Sequence, residues 1–156
     1  MGIHMLHTPK EKKPIEFRLK DVELIECSFR KPKEEIKESH NFGFSFGFGA
    51  KFDEVSGVII IQNDINVFHS PDQKIEIGKV TSETIFYIAN FNDFISAKKK
   101  IAFPHDFIIM LMSISYSTLR GIIIERSAGT LPEPVILPII NLNEIIKPDK
   151  KKNTPK

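Results

Sequence analysis

Chemistry that needs a nucleophile, a general base or a metal starts from histidine, cysteine or paired acids, and this chain supplies few of them in useful arrangements. The five histidines, His4, His7, His40, His69 and His105, are scattered except for the first two. His4 and His7 lack the Cys or carboxylate partners that would complete a metal-ligand set. The lone Cys27 has apolar neighbours on a strand, which suits an inert thiol better than a nucleophile. Gly43, Gly47 and Gly49 imitate a phosphate-cradling loop but lack both the Lys-Ser/Thr ending and the dinucleotide spacing. The acid pairs Glu34/Glu35 and Asp53/Glu54 flank loops and read as solvated surface. No catalytic constellation emerges, so the expectation is a protein that is not an enzyme and uses no metal or cofactor.

What remains is chemistry by contact. In Phe42-Gly43-Phe44-Ser45-Phe46-Gly47-Phe48, four phenylalanines share one face and only Gly or Ser stands opposite. Two readings apply. The row can be ordinary core, a strand turning its aromatics onto a helix layer. It can also be a groove wall, because glycine otherwise weakens a strand and leaves the backbone bare. An aromatic surface of that kind suits extended apolar peptide with low sequence preference. The two readings differ only in exposure. The lysine runs Lys98-Lys99-Lys100 and Lys150-Lys151-Lys152 are not interleaved with aromatics, and single-strand binders need both stacking rings and a charged track. They read as solvated charge, with no nucleic-acid partner expected.

The surrounding chain has to position these residues. With 156 residues, 41% hydrophobic and a formal net charge of +2, it suits one domain with a single core. Thirteen Phe argue against disorder, and one Cys excludes an intrachain disulfide framework and fits a reducing compartment such as the cytoplasm. Met1–Pro14 has no apolar signal region and reads as a flexible arm. The run Phe107–Leu119 is apolar but shorter than the roughly 20 residues of a membrane span, so no membrane span is expected. The domain is then residues 15–147, followed by a basic tail over 148–156.

Period-two alternation predicts strands at Phe17–Phe29, Phe42–Phe48, Val55–Val67 and Lys74–Asn90, with a charged loop over Lys31–His40 and a turn at His69–Asp72. Four strands joined in sequence predict an antiparallel meander. From Pro104 to about Arg126 the apolar residues cover nearly every angle of a helical wheel, so the helix must be covered on more than one side, most simply by a second subunit. After Gly129, the Pro-spaced Leu131–Ile140 must be extended, and Asn141–Lys147 forms only a short final turn. The fold class is α+β, a four-stranded antiparallel sheet packed on a long C-terminal helix.

In that order the elements resemble the SecB-like protein-export chaperones. Phe17-Arg18-Leu19 through Ser28-Phe29 and Pro32 looks like the family's first strand, Val55–Ile61 like its third, and Ile85-Phe86-Tyr87-Ile88 like the end of its fourth. Pro104 to Gly129-Thr130, then Leu137-Pro138 and Asn141, is similar to its helix and following segment. The resemblance implies a homotetramer, a dimer of dimers with helices packed between subunits. It also implies an ATP-independent holdase that binds non-native polypeptides in apolar grooves. The matching groove positions are Phe42, Phe44, Phe46, Phe48, Phe86 and Ile88. Docking to the SecA motor in that family uses acids on the exposed sheet face. The matching positions here are Glu26, Arg30 and Lys79, one acid and two bases, which opposes that partner's steering pattern. A dedicated client, such as the antitoxin of a toxin–antitoxin operon, fits this departure. An adaptor of the same fold that binds one folded partner is the alternative.

Overall fold

The computed structural model describes residues 13–33, 41–72 and 75–147. The start of the N-terminal arm, residues 34–40 of the charged loop and the basic tail lie outside these residues. Four strands, β1 (Phe17–Phe29), β2 (Gly43–Asp53), β3 (Val58–Phe68) and β4 (Glu76–Ile88), precede a 3-10 turn at Phe91–Phe94. The long helix α1 (His105–Ala128) and a short α2 (Leu142–Ile145) follow.

All strand pairs are antiparallel, in the order β1-β4-β3-β2. The last three strands form the expected meander, but β1 pairs with β4 rather than with β2. The reason is the connection: a hairpin needs a turn of a few residues, whereas residues 30–42 are far too many. The strands on either side of them, β1 and β2, stand three strand spacings apart, about 14 Å. The β2–β3 turn is built locally. The Asp53 carboxylate accepts from Val55 N (3.0 Å), Ser56 N (3.4 Å) and Ser56 Oγ (2.6 Å), bonds that hold its pKa below the usual value. Gly57 follows at φ 67°, the left-handed region that favours glycine.

α1 crosses the inner face of the sheet. Pro104 stands just before its first turn, and the Pro104 carbonyl accepts from Phe107 N and Ile108 N. By length and composition this 24-residue helix could span a bilayer, which differs from the sequence expectation. Its buried side chains, among them Phe107, Leu111, Tyr116, Leu119 and Ile123, instead face the core. One cluster gathers around Ile59, Ile61, Phe86, Ile88, Phe107 and Leu111, and a second around Ile65, Val67, Val80, Tyr116, Leu119 and Leu137.

Between the two clusters lies a polar layer. Asn63 Nδ2 donates to Ser115 Oγ at 2.6 Å, Thr84 Oγ1 and Ser115 Oγ share a bond at 2.5 Å, and Ser82 Oγ is 3.3 Å from Asn63 Nδ2. All four residues are at most 1% exposed. A helix apolar on nearly every face could slide along an apolar sheet, but a shift of one turn would leave these buried groups unpaired. The layer therefore fixes where α1 sits. Ser115→Ala should lower the free energy of unfolding by about 1–3 kcal/mol, the cost of leaving a buried donor without its acceptor. Urea unfolding monitored by circular dichroism measures this, and a change near zero would show that the layer does not anchor the helix.

Candidate functional site

The inner face of β2 carries Phe44, Phe46, Phe48, Ala50 and Phe52, which the register sets opposite Val67, Ile65, Asn63, Ile61 and Ile59. Phe44 and Phe46 stack with ring centroids 6.0 Å apart and planes 22° apart, Phe46 and Phe48 at 6.4 Å and 10°. The row rests on α1: the Tyr116 ring meets Phe46 at 6.0 Å and Phe48 at 6.1 Å, both edge-on. Cross-strand packing and edge-to-face contacts hold the rings in one orientation. Phe42 precedes the strand and packs against the same cluster. Phe42, Phe44, Phe46 and Phe48 are each half-buried. They are therefore both core and surface: one side of the row is packed, and the other remains accessible.

Tyr116 also fixes the opposite wall. Its hydroxyl donates to the Pro138 carbonyl at 2.6 Å, Arg120 Nε donates to the Leu137 carbonyl at 3.2 Å, and Val135 N donates to Ser127 Oγ at 2.7 Å. The Pro-spaced segment is thus laid back along α1 with Val135 and Leu137 buried and Ile136 and Ile139 turned out, 60% and 87% exposed. Burial pushes the Tyr116 phenol up to about 12, an effect only partly offset by the nearby Arg120 cation.

Phe86 and Ile88, matched to the groove by resemblance, lie elsewhere. Each is 1% exposed inside the first core cluster, and neither presents surface to a polypeptide. Their positions on β4 place them on the inner face at the centre of the sheet, where α1 covers them. Conversely, Tyr116, Phe52 and the wall at 136–140 join the aromatic surface without having been singled out. For Phe52 a signal existed, since the period-two row runs on through Ala50. Phe52 stacks on Phe103 at 5.9 Å and 9°, and Phe103 packs on Phe91 and Phe94.

On the outer face, Glu26 and Lys79 meet as an ion pair at 3.7 Å, and Arg30 Nε donates to the Glu76 carbonyl at 3.1 Å. The three residues therefore share one end of the sheet. Acids stand nearer the middle: Glu23 pairs across from Glu83, which accepts from Gln62 Nε2, and Asp64 accepts from Thr81 Oγ1. Cys27 lies on the inner face of β1, and burial is the main cause pushing its thiol pKa up. Among the described residues, no group of three or more His, Cys, Asp or Glu is placed to hold a metal. A depression of about 510 Å³ opens beside Arg30, Lys31, Pro32, His69 and Ile75, and none of the four phenylalanines of the row lines it.

No protein-family model matches this chain, and no curated protein matches it by sequence. Solved structures do match. A Mycobacterium tuberculosis SecB-like chaperone, Rv1957, in complex with a ChAD peptide from the HigA1 antitoxin, aligns at TM-score 0.56 and 10% identity. The alignment covers 80% of this chain and 90% of that one. A Streptococcus agalactiae protein of unknown function aligns at TM-score 0.41 and 14% identity, over 81% and 99% of the two chains.

The raised Tyr116 pKa has a checkable consequence. Below the phenol's unfolded pKa of about 10 the group's contribution to stability is fully present, and it is lost as pH rises through about 12. In a Tyr87→Phe variant, where Tyr116 is the only tyrosine, ultraviolet titration should show the phenolate appearing near pH 12. Ionisation near pH 10 in the folded chain would mean that Tyr116 is open to water. At this level of likeness, the fold of the chain is that of the SecB-like chaperones.

Proposed function

We propose that this protein is an ATP-independent chaperone that holds non-native polypeptide segments against the aromatic row of β2. The observation that carries the reading is the half-exposed ladder Phe44-Phe46-Phe48 seated on Tyr116. Three stacked rings form an apolar surface larger than a scattered single side chain would make, and the exposed Ile136 and Ile139 belong to the segment that Tyr116 ties to α1. A segment laid along it gains about 25 cal/mol per Å² of apolar area removed from water, whatever its sequence. The SecB-like fold supports the reading, and the neighbour's antitoxin peptide is in keeping with a dedicated client of that kind. The chain acts without catalysis or cofactor, in the cytoplasm. Docking to the SecA motor is not part of the reading, because Arg30 and Lys79 stand where that docking uses acids.

Oligomerisation belongs to the same proposal. α1 leaves Met110 and Ile124 exposed at 39% and 37%, on a face shared with the exposed small residues Ser113, Ser117 and Gly121. Such a face lets another helix approach closely. A dimer of dimers packed through α1 would cover it and join several aromatic rows, so that weak subsites add as avidity.

Two measurements test this. Light scattering should give a mass four times that of the 17.8 kDa chain; a monomer at micromolar concentration would refute the assembly. The protein should suppress aggregation of an unfolded reporter protein without ATP. The double substitution Phe44→Ser with Phe46→Ser should abolish most of that suppression while leaving the mass unchanged. Full activity in that variant would show that clients bind elsewhere. A pull-down that yields one stoichiometric folded partner and no holdase activity would favour an adaptor.

A further inference from the structure

The aromatic row of β2 ends at Phe52, and there it meets a tight basic hairpin. Phe52 stacks on Phe103 at 5.9 Å, Phe103 stacks on Phe94 at 4.9 Å, and the Phe94 carbonyl accepts from Ala102 N at 2.8 Å. Ile95 and Ile101 bridge the two arms of the hairpin, and its tip is Ser96-Ala97-Lys98-Lys99-Lys100. Every residue of the tip is exposed.

The tip is closed without any of its charges. Ser96 N donates to the Lys100 carbonyl and Lys99 N to the Ser96 carbonyl, both at 2.8 Å, and Lys100 N donates to Ser96 Oγ at 3.1 Å. Lys99 takes φ 57°, the left-handed region that favours glycine, and among the described residues it is the only non-glycine residue to do so. The turn thus sets a lysine where glycine would be less strained, with a lysine on either side. Three like charges this close repel one another, and among the described residues none of them is in an ion pair. The acids on the adjoining elements do not answer them. The Asp53 carboxylate closes the β2–β3 turn, the Asp93 carboxylate accepts from Asn90 Nδ2 at 3.4 Å, and Glu54 and Asp106 are exposed. Neither the fold nor a neighbouring acid accounts for the three ammonium groups.

We infer that the hairpin tip selects among clients: it favours an apolar segment that continues into acidic residues, whose carboxylates meet Lys98, Lys99 and Lys100 just beyond Phe52. The inference rests on the chaperone reading and names the class of client. A segment on the row needs only to run on past Phe52 and Phe103 to reach the tip. Apolar burial holds that segment whatever its sequence. The lysines add a condition of charge, drawing in an acidic flank and repelling a basic one. Charge complementarity thus fixes the sign of the partner, and the aromatic row requires that the charge be joined to apolar sequence. A polyanion without apolar residues meets only half of this surface.

The experiment uses the intact protein and three fluorescent peptides that share a core of leucines alternating with serines. Their flanks, at both ends, are glutamates, glutamines or lysines, and binding is followed by anisotropy. The glutamate-flanked peptide should bind at least about tenfold more tightly than the lysine-flanked one, with the glutamine-flanked peptide between them, and salt should narrow the spread. In the variant Lys98→Ser with Lys99→Gly and Lys100→Ser, whose glycine suits the left-handed turn, the three affinities should converge to within about threefold. Equal binding of all three peptides by the unaltered protein overturns the inference and leaves the chaperone reading in place. So does a preference that survives in the triple variant. Undiminished binding of the glutamate-flanked peptide by Phe44→Ser with Phe46→Ser also overturns it, because the tip would then take anions apart from the row. If no peptide binds, the inference fails, and suppression of aggregation without ATP decides whether the chaperone reading fails with it.

Discussion

The arrangement depends on one buried polar contact, the donation from Asn63 to Ser115 with Thr84 and Ser82 alongside. Hydrophobic burial is strong but non-directional. A helix such as α1, apolar on almost every face, gains nearly the same from several positions on a sheet of isoleucine and valine. Hydrogen bonds in the dry interior discriminate where burial does not, because misplacement leaves them unmade. With Ser115 held over Asn63, Tyr116 on the next position comes under Phe46 and Phe48. Arg120, one turn further on, reaches the returning Leu131–Ile140 segment. The geometry of the aromatic surface thus follows from a contact that is not part of it.

The same serine that organises the helix also divides the core. On one side Phe86, Ile88, Phe91 and Phe107 pack around Ile59 and Ile61; on the other, Tyr116, Leu119 and Leu137 pack around Ile65 and Val67. The first cluster is closed over by the 3-10 turn and Phe103. The second reaches the edge strand, where its outermost layer is the row Phe44-Phe46-Phe48, only half covered. An edge position is what turns a strand of ordinary core alternation into a surface. A central strand with the same residues would be covered on both flanks, as β4 is, and Phe86 shows the result.

The order β1-β4-β3-β2 has the same kind of consequence. A simple meander would place β2 inside the sheet, flanked by β1 and β3, and both its backbone and its phenylalanines would be enclosed. The observed order instead has the charged, bulged β1 at one edge and the glycine-bearing β2 at the other. The half-buried phenylalanines of β2 therefore stand at the margin of the sheet.

Much of this was determined by local sequence. Alternation at Phe17–Phe29 and around Phe42–Phe48, the Pro104 start, the apolar helix and the Pro-spaced segment after Gly129 each act over a few residues, so periodicity and turn chemistry reveal them. The aromatic row was legible for the same reason, because residues two apart on a strand must share a face. What only the tertiary structure decided depends on strand order and on residues distant in sequence. Sequence alone does not show that β2 is an edge, that Phe86 and Ile88 are enclosed, or that Tyr116 supports the row across some seventy residues. Nor does it mark Asn63 and Ser115, 52 positions apart, as partners. A lone Asn in a strand and a lone Ser in a helix each read as surface, and only their meeting in the interior makes them the contact that positions everything else.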